Sequence, residues 1–374
     1  MTPIDSTEKV KPMLVHPLSG ADPATLIRVI ARNRPIEWRS APSLAISMAS
    51  ALGRLPFTAA ELAATAWYKR KAPTRQPPIF IVGHWRSGTT HLYNLLSRSP
   101  RFGYVPPLAT GMPWDMLLLA RLLRPLLVRM LPEERYIDRI PVKEDSPQED
   151  EAALANMQPI SFYHGLYFPR HLERNFRQGV FLDETPPKDI RRWQRRFLHF
   201  VDKLNIRFQG RPLLIKNPVY TARVRMLRQL LPDARFVHIH RDPLHVFQSM
   251  QNFYDKLLAA MALQSYDTAR INELILDAYP RMMDCLLNDT RELPSDRFVE
   301  FGYDVLDDRP LEAVEAVYDQ LGIPGFVEDR PRFQAYLDSI KSYRKNRYDL
   351  PEDLRREVAT RWRPYFERWG YAVP

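Results

Sequence analysis

The 374-residue chain has one cysteine, Cys285, which excludes an intrachain disulfide and a multi-thiolate metal site and leaves no mark of an oxidising compartment. The bland reading of that residue is a small buried hydrophobe. The polar opening MTPIDSTEKVKPM lacks the apolar core of a signal peptide. Nowhere is there an uninterrupted apolar run of the roughly 18 residues that a membrane span needs. There is no zinc-finger spacing, no aromatic-rich RNA motif, no internal repeat and no low-complexity tract. These absences leave a cytoplasmic globular protein with no nucleic acid partner as the expectation.

What is present is ordinary in bulk and uneven in charge. Hydrophobic residues make up 45% of the chain and charged residues 26%, enough to bury a sizeable core. The formal charge of +10 favours anionic partners such as nucleotides or anionic lipid surfaces. Residues 1–25 read as an unstructured lead-in and 26–72 as helices broken near Pro35, Pro42 and Pro56. The proline-rich stretch KAPTRQPP, residues 71–78, marks a fold boundary.

Beyond that boundary the pattern turns to strand and helix. IFIVG, PLLIKNP, ARFVHIHRDP and RFVEFGY each read as a short strand, and THLYNLLSRS and TARVRMLRQLLP carry helical spacing of apolar residues. Strands alternating with helices predict an α/β fold with a parallel sheet flanked by helices. The expected organisation is a helical N-terminal extension over 1–76 and one α/β domain over 77–374, with a helical insertion at about 107–210 and a helical C-terminal end. Within that insertion SPQE at 146–149 predicts a helix start, with Ser146 as N-cap, Pro147 in the first turn and Glu149 reciprocating. The apolar run WDMLLLARLLRPLLVRM, residues 114–130, fits either a buried helix pair or a surface that meets lipid or an apolar acceptor.

The segment GHWRSGTT, Gly83–Thr90, has the glycine spacing of a phosphate-binding loop between a strand and a helix. Backbone N–H groups of such a loop and the following helix N-terminus bind phosphate without side-chain help. Thr89 stands where a nucleotide triphosphatase carries its lysine, which damages the usual lysine and magnesium arrangement, and Arg86 supplies a positive fork inside the loop.

With those residues, PPIFIVGHWRSGTTHL resembles the 5′-phosphosulfate loop of sulfotransferases that use 3′-phosphoadenosine 5′-phosphosulfate (PAPS). FVHIHRDPLHVFQSM is similar to the family's 3′-phosphate strand and helix, an arginine followed eight residues later by a serine, here Arg241 and Ser249. LLIKNP resembles the lysine-bearing strand end of the tyrosylprotein and related bacterial branch, which implies Lys216 as a contact to the transferring group. The resemblance covers residues 77–105 and 210–255 well and the rest loosely. It implies a P-loop-type fold, PAPS as donor and 3′-phosphoadenosine 5′-phosphate as product. Ser87, Gly88, Thr89, Thr90 and His91 follow as donor contacts, with Arg344, Lys345 and Arg347 in the position of a closing C-terminal loop.

Sulfuryl transfer builds charge on oxygens, so fixed cations and N–H dipoles should carry it, with Arg86 and Lys216 foremost and no metal. An alcohol or amine acceptor also needs a base. The glutamate that follows the loop by about one helix in tyrosylprotein sulfotransferases has no counterpart in RFGYVPPLATG. The candidates are therefore Asp150 and Glu151 of the acidic cluster and His164. The expected acceptor is a small molecule or lipid, with peripheral membrane contact and a homo-oligomer left open. An ATP-dependent phosphotransferase and a non-catalytic binding module are the competing readings.

Overall fold

The apolar, β-branched runs pair as their composition dictates. The computed structural model describes residues 15–129, 143–268, 270–340 and 350–374. Its strands are β1 (Ile79–Val82), β2 (Leu214–Lys216), β3 (Arg235–His240) and β4 (Phe298–Gly302), all parallel in the order β2-β1-β3-β4. Ile79 lies opposite Leu214 on one side and Arg235 on the other, and Phe236 lies opposite Phe298. The basic run Arg344, Lys345 and Arg347 lies outside the described residues.

The chain forms two compact units. One comprises Arg75–Tyr104, Arg211–Gln251 and Asn272–Pro374 and contains the whole sheet. The other comprises Met1–Thr74, Val105–Gly210 and Asn252–Ile271, so the N-terminal helices and most of the insertion fall in one unit.

In the sheet unit every residue of β1 is buried, as expected of a strand covered on both faces. Phe80 stacks on Phe236 at 5.5 Å and meets the edge of Tyr220 on one face. Ile79 and Ile81 join Leu92, Leu96, Val314 and Val317 in the core cluster. From β1 the chain goes to β2 on one side, and from β3 it goes to β4 on the other. The order therefore reverses between β1 and β3, and in such sheets ligands bind at the carboxyl ends of the strands flanking that reversal. The glycine loop follows β1, and Arg241 follows β3.

A packing detail shows how the C-terminal aromatics anchor this unit. Pro280 sits inside the helix Ile271–Thr290 and has no N–H to offer the carbonyl of Leu276. The Trp362 indole N–H donates to that carbonyl at 2.9 Å, and its ring stacks on Tyr279 at 4.1 Å. Cys285, expected to be buried, is only half-buried on the same helix.

In the helical unit the breaks near Pro42 and Pro56 become helix starts, each proline lying in a first turn, at Ala41–Gly53 and Leu55–Lys69. A helix at Pro23–Arg32 begins inside the expected lead-in, because Asp22 accepts the N–H groups of Ala24 and Thr25, each at 3.0 Å. The helix expected at Ser146 begins instead at Glu151. The Ser146 hydroxyl accepts the N–H of Lys143 behind it, and the N–H of Gln148 donates to Val105, so these residues form a turn and a loop in place of a helix. The 114–129 stretch yields two short helices, Leu119–Leu122 and Arg124–Arg129. Trp114 and Met116 are buried, whereas Leu122 and Leu126 are exposed.

Candidate active site

The loop after β1 is shaped by backbone conformations that its residues were chosen to allow. Gly83 has φ +143° and Gly88 φ +105°. A Cβ on Gly83 would lie 2.5 Å from the carbonyl oxygen of Ile239, and one on Gly88 2.2 Å from the Tyr303 ring. Only glycine fits both constraints. Between them Arg86 holds a left-handed φ of 71°, a sparsely populated conformation for a side-chain-bearing residue and one that clusters at functional sites.

That conformation is fixed by the second motif. The Arg86 Nε–H donates to Ser249 Oγ at 2.8 Å, and Arg241 donates to the Arg86 carbonyl at 3.3 Å. Arg241 also lies over the Tyr303 ring, 4.5 Å from its centroid. Asp242 turns to the N–H of Leu244 (2.8 Å) and to His245 (3.1 Å). The loop and the strand-end arginine, 155 residues apart, thus build one constellation. Lys216, buried at the end of β2, donates to Thr90 Oγ1 at 3.1 Å and brings a third cation to the start of the helix Thr89–Leu96.

Two polar groups in the loop distinguish binding from scaffolding. The N–H of Gly83 is taken by the Thr221 hydroxyl at 2.8 Å, which anchors the loop to the turn after β2. The Ser87 hydroxyl is buried and finds no hydrogen-bond partner among the described residues. A buried hydroxyl without a partner costs free energy unless something polar meets it. The first N–H groups of a helix likewise lack intrahelical partners and favour an anion. A phosphate or sulfate ester fits this cradle of backbone donors, Ser87 and three cations.

Two site residues escaped the motifs. Thr221 and Tyr303 stand in stretches whose pattern speaks only of helix and strand, and neither carries a chemical signal of its own. His84 lies within the loop, but its role is internal. It is buried, bonds the Trp85 carbonyl at 3.0 Å and is held neutral, with burial lowering its pKa to about 4. His91 faces Tyr336 with ring centroids 6.3 Å apart. The β3 histidines are committed elsewhere. His238 donates to Glu300 at 2.7 Å, and His240 stacks on Trp369 at 4.8 Å.

The three candidate bases belong to the helical unit. Asp150 and Glu151 are both buried at the start of a short helix. Glu151 accepts the Ser161 hydroxyl at 2.7 Å and the N–H of Phe162 at 3.1 Å. His164 is fully buried, bonds the Ala155 carbonyl at 3.0 Å and has its pKa lowered to about 4 by burial.

Comparison with known proteins gives one consistent picture. Residues 77–329 match the profile of the Sulfotransferase family. The chain is 29% identical over 296 residues to omega-hydroxy-beta-dihydromenaquinone-9 sulfotransferase Stf3 of Mycobacterium bovis and of Mycobacterium tuberculosis. Each alignment covers 79% of this chain and 75% of the relative. Its fold is similar to that of sulfotransferase STF9 from Mycobacterium avium, with TM-score 0.69 and 19% identity over 98% of this chain and 93% of that one. Sulfotransferase STF1 from Mycobacterium tuberculosis gives TM-score 0.63 and 17% identity over 90% of both chains.

Proposed function

The chain belongs to the sulfotransferase family, and from that premise we propose that it moves a sulfuryl group from PAPS to a hydroxyl or amine on a small apolar or lipid acceptor. When bound, PAPS supplies a sulfuryl group on a phosphate leaving group, so charge grows on the bridging and equatorial oxygens as the bond breaks.

Each residue then has a part set by its chemistry. Ser87, Gly88, Thr89 and Thr90 would hold the 5′-phosphosulfate through N–H groups and hydroxyls. Arg86 and Lys216 would face the oxygens where charge develops. Arg241 and Ser249 would hold the 3′-phosphate; the Ser249 oxygen accepts from Arg86 and its own proton stays available to donate. His91 would lie towards the adenine, and Arg344, Lys345 and Arg347 would close over the ribose phosphate. For the acceptor's proton the candidates stay Asp150, Glu151 and His164, each buried in the helical unit.

The observation that carries this reading is the hydrogen bond from Arg86 to Ser249, which joins the two halves of a donor grip. The name of the mycobacterial relatives, which specifies a hydroxylated dihydromenaquinone, supports an apolar alcohol as acceptor. The test is incubation with radiolabelled PAPS, ATP and a lipid extract of the source organism. Labelled product should form in step with 3′-phosphoadenosine 5′-phosphate. Consumption of ATP without sulfated product would support the phosphotransferase reading, and PAPS binding without turnover the non-catalytic one.

A further inference from the structure

The helices Ala41–Gly53 and Leu55–Lys69 are amphipathic the wrong way round for a water-facing surface. From Ala41 to Tyr68 the only charged residues are Arg54 and Glu61, and both turn inward. Arg54 pairs with the buried Asp115, and Glu61 is fully buried against Lys203, 2.5 Å away. Ser43, Ser47 and Thr65 are buried as well. What faces outward is Leu52, Leu55, Phe57, Leu62 and Trp67. A helix exposed to water ordinarily shows the opposite pattern.

The same polar pins fix the neighbouring chain. The Glu61 carboxylate accepts the N–H groups of Leu117 and Leu118, each at 2.9 Å, and the Thr58 hydroxyl donates to Asp115 at 2.6 Å. Leu118 and Leu122 are thereby held outward beside the Leu55–Lys69 helix, with Leu122 73% exposed. These leucines are outside because ionic contacts on the inner side place them there.

The edges of this surface carry aromatic and basic residues together. Trp38, 80% exposed, and the exposed Arg39 precede the first helix. Trp67 and Tyr68 lie in the last turn of the second, where Lys69 pairs with Asp202, and Arg70 and Lys71 follow, with Lys71 lying 4.1 Å over the Trp67 ring. Arg121 sits between the outward leucines. An apolar face bounded by tryptophan, tyrosine and cations matches the layering of a lipid surface, with acyl chains inside and anionic headgroups at the rim. At 13 and 15 residues the helices extend only about 20 Å each, too short to cross a bilayer but suited to lie in one.

We propose that this face, built from Ala41–Lys69 and Leu118–Leu122, docks the protein on an anionic lipid bilayer surface. The proposal does not depend on the donor site or on the transfer reaction. The complementary charge at the rim favours lipid over a second copy of the chain, whose rim would be equally positive.

The test is co-sedimentation of the full chain with phosphatidylcholine vesicles, with and without about 30 mol% phosphatidylglycerol. The wild type should pellet with the anionic vesicles and release as salt rises. Phe57→Ser/Trp67→Ser should lower the bound fraction at least about tenfold, because the lost apolar contacts lie in the bilayer. Trp38→Ser, on a separate element, should lower it independently, and unchanged thermal unfolding of each variant excludes misfolding. Wild type that stays in the supernatant with both vesicle types would overturn the proposal. So would concentration-dependent dimerisation that these substitutions abolish while vesicle binding is absent.

Discussion

Arg86 and Arg241 are neighbours in space to which the proposed donor grip gives separable roles, and substitution should part them. On the proposed reading, removing the Arg86 guanidinium takes charge away from the oxygens that become more negative as the bond breaks. Arg86→Ala is therefore expected to lower kcat about 100-fold or more while the donor Kd moves only a few-fold, read by single-turnover kinetics alongside equilibrium binding. Equal losses in both would mean that the residue only binds. Arg241→Ala should instead raise the donor Kd about tenfold or more and abolish the preference for PAPS over adenosine 5′-phosphosulfate, since the proposed charge-assisted contact to the 3′-phosphate would be lost. Calorimetric titration of both nucleotides checks this; a preference that survives would remove Arg241 from the 3′-phosphate.

At the level of elements, the strands and the phosphate loop could be read in advance because their signals are local. IFIV and FVHIH are short apolar runs, and the Gly83 and Gly88 spacing states a backbone requirement directly. What could not be read depends on contacts distant in sequence. Ser146 carries a good capping pattern, yet the N–H of Gln148 two residues on is tied to the Val105 carbonyl, and the helix waits until Glu151. Tyr303 and Thr221 matter because the sheet carries them to the loop, and nothing in their own neighbourhoods announces it. Pro280 does not end the Ile271–Thr290 helix, because Trp362 satisfies the carbonyl it leaves unpaired. Trp362→Phe keeps an aromatic ring for Tyr279 and orphans that carbonyl, so it should cost about 1–3 kcal/mol in urea unfolding. A loss near zero would mean that water replaces the indole.

For the molecule as a whole, acid should be the weak side. Of the 9 histidines, His16, His84, His164, His199 and His240 are all held near a pKa of about 4, burial being the largest cause in each. Their folded pKa values lie below the unfolded value of 6.5, so the unfolded chain takes up protons first as pH falls. The stability they contribute is complete above 6.5 and is lost progressively towards 4. Thermal midpoints recorded across that window should fall steadily with acidification, and a flat profile would contradict the neutral burial of these rings. The inward-facing charges of the Ala41–Lys69 helices have a kinetic corollary. A catalyst parked on a lipid sheet meets a lipid alcohol by sideways diffusion, so turnover should follow the crowding of that alcohol within the sheet. Spreading the same acceptor through more inert phospholipid should slow the reaction, while adding vesicles of unchanged make-up should not.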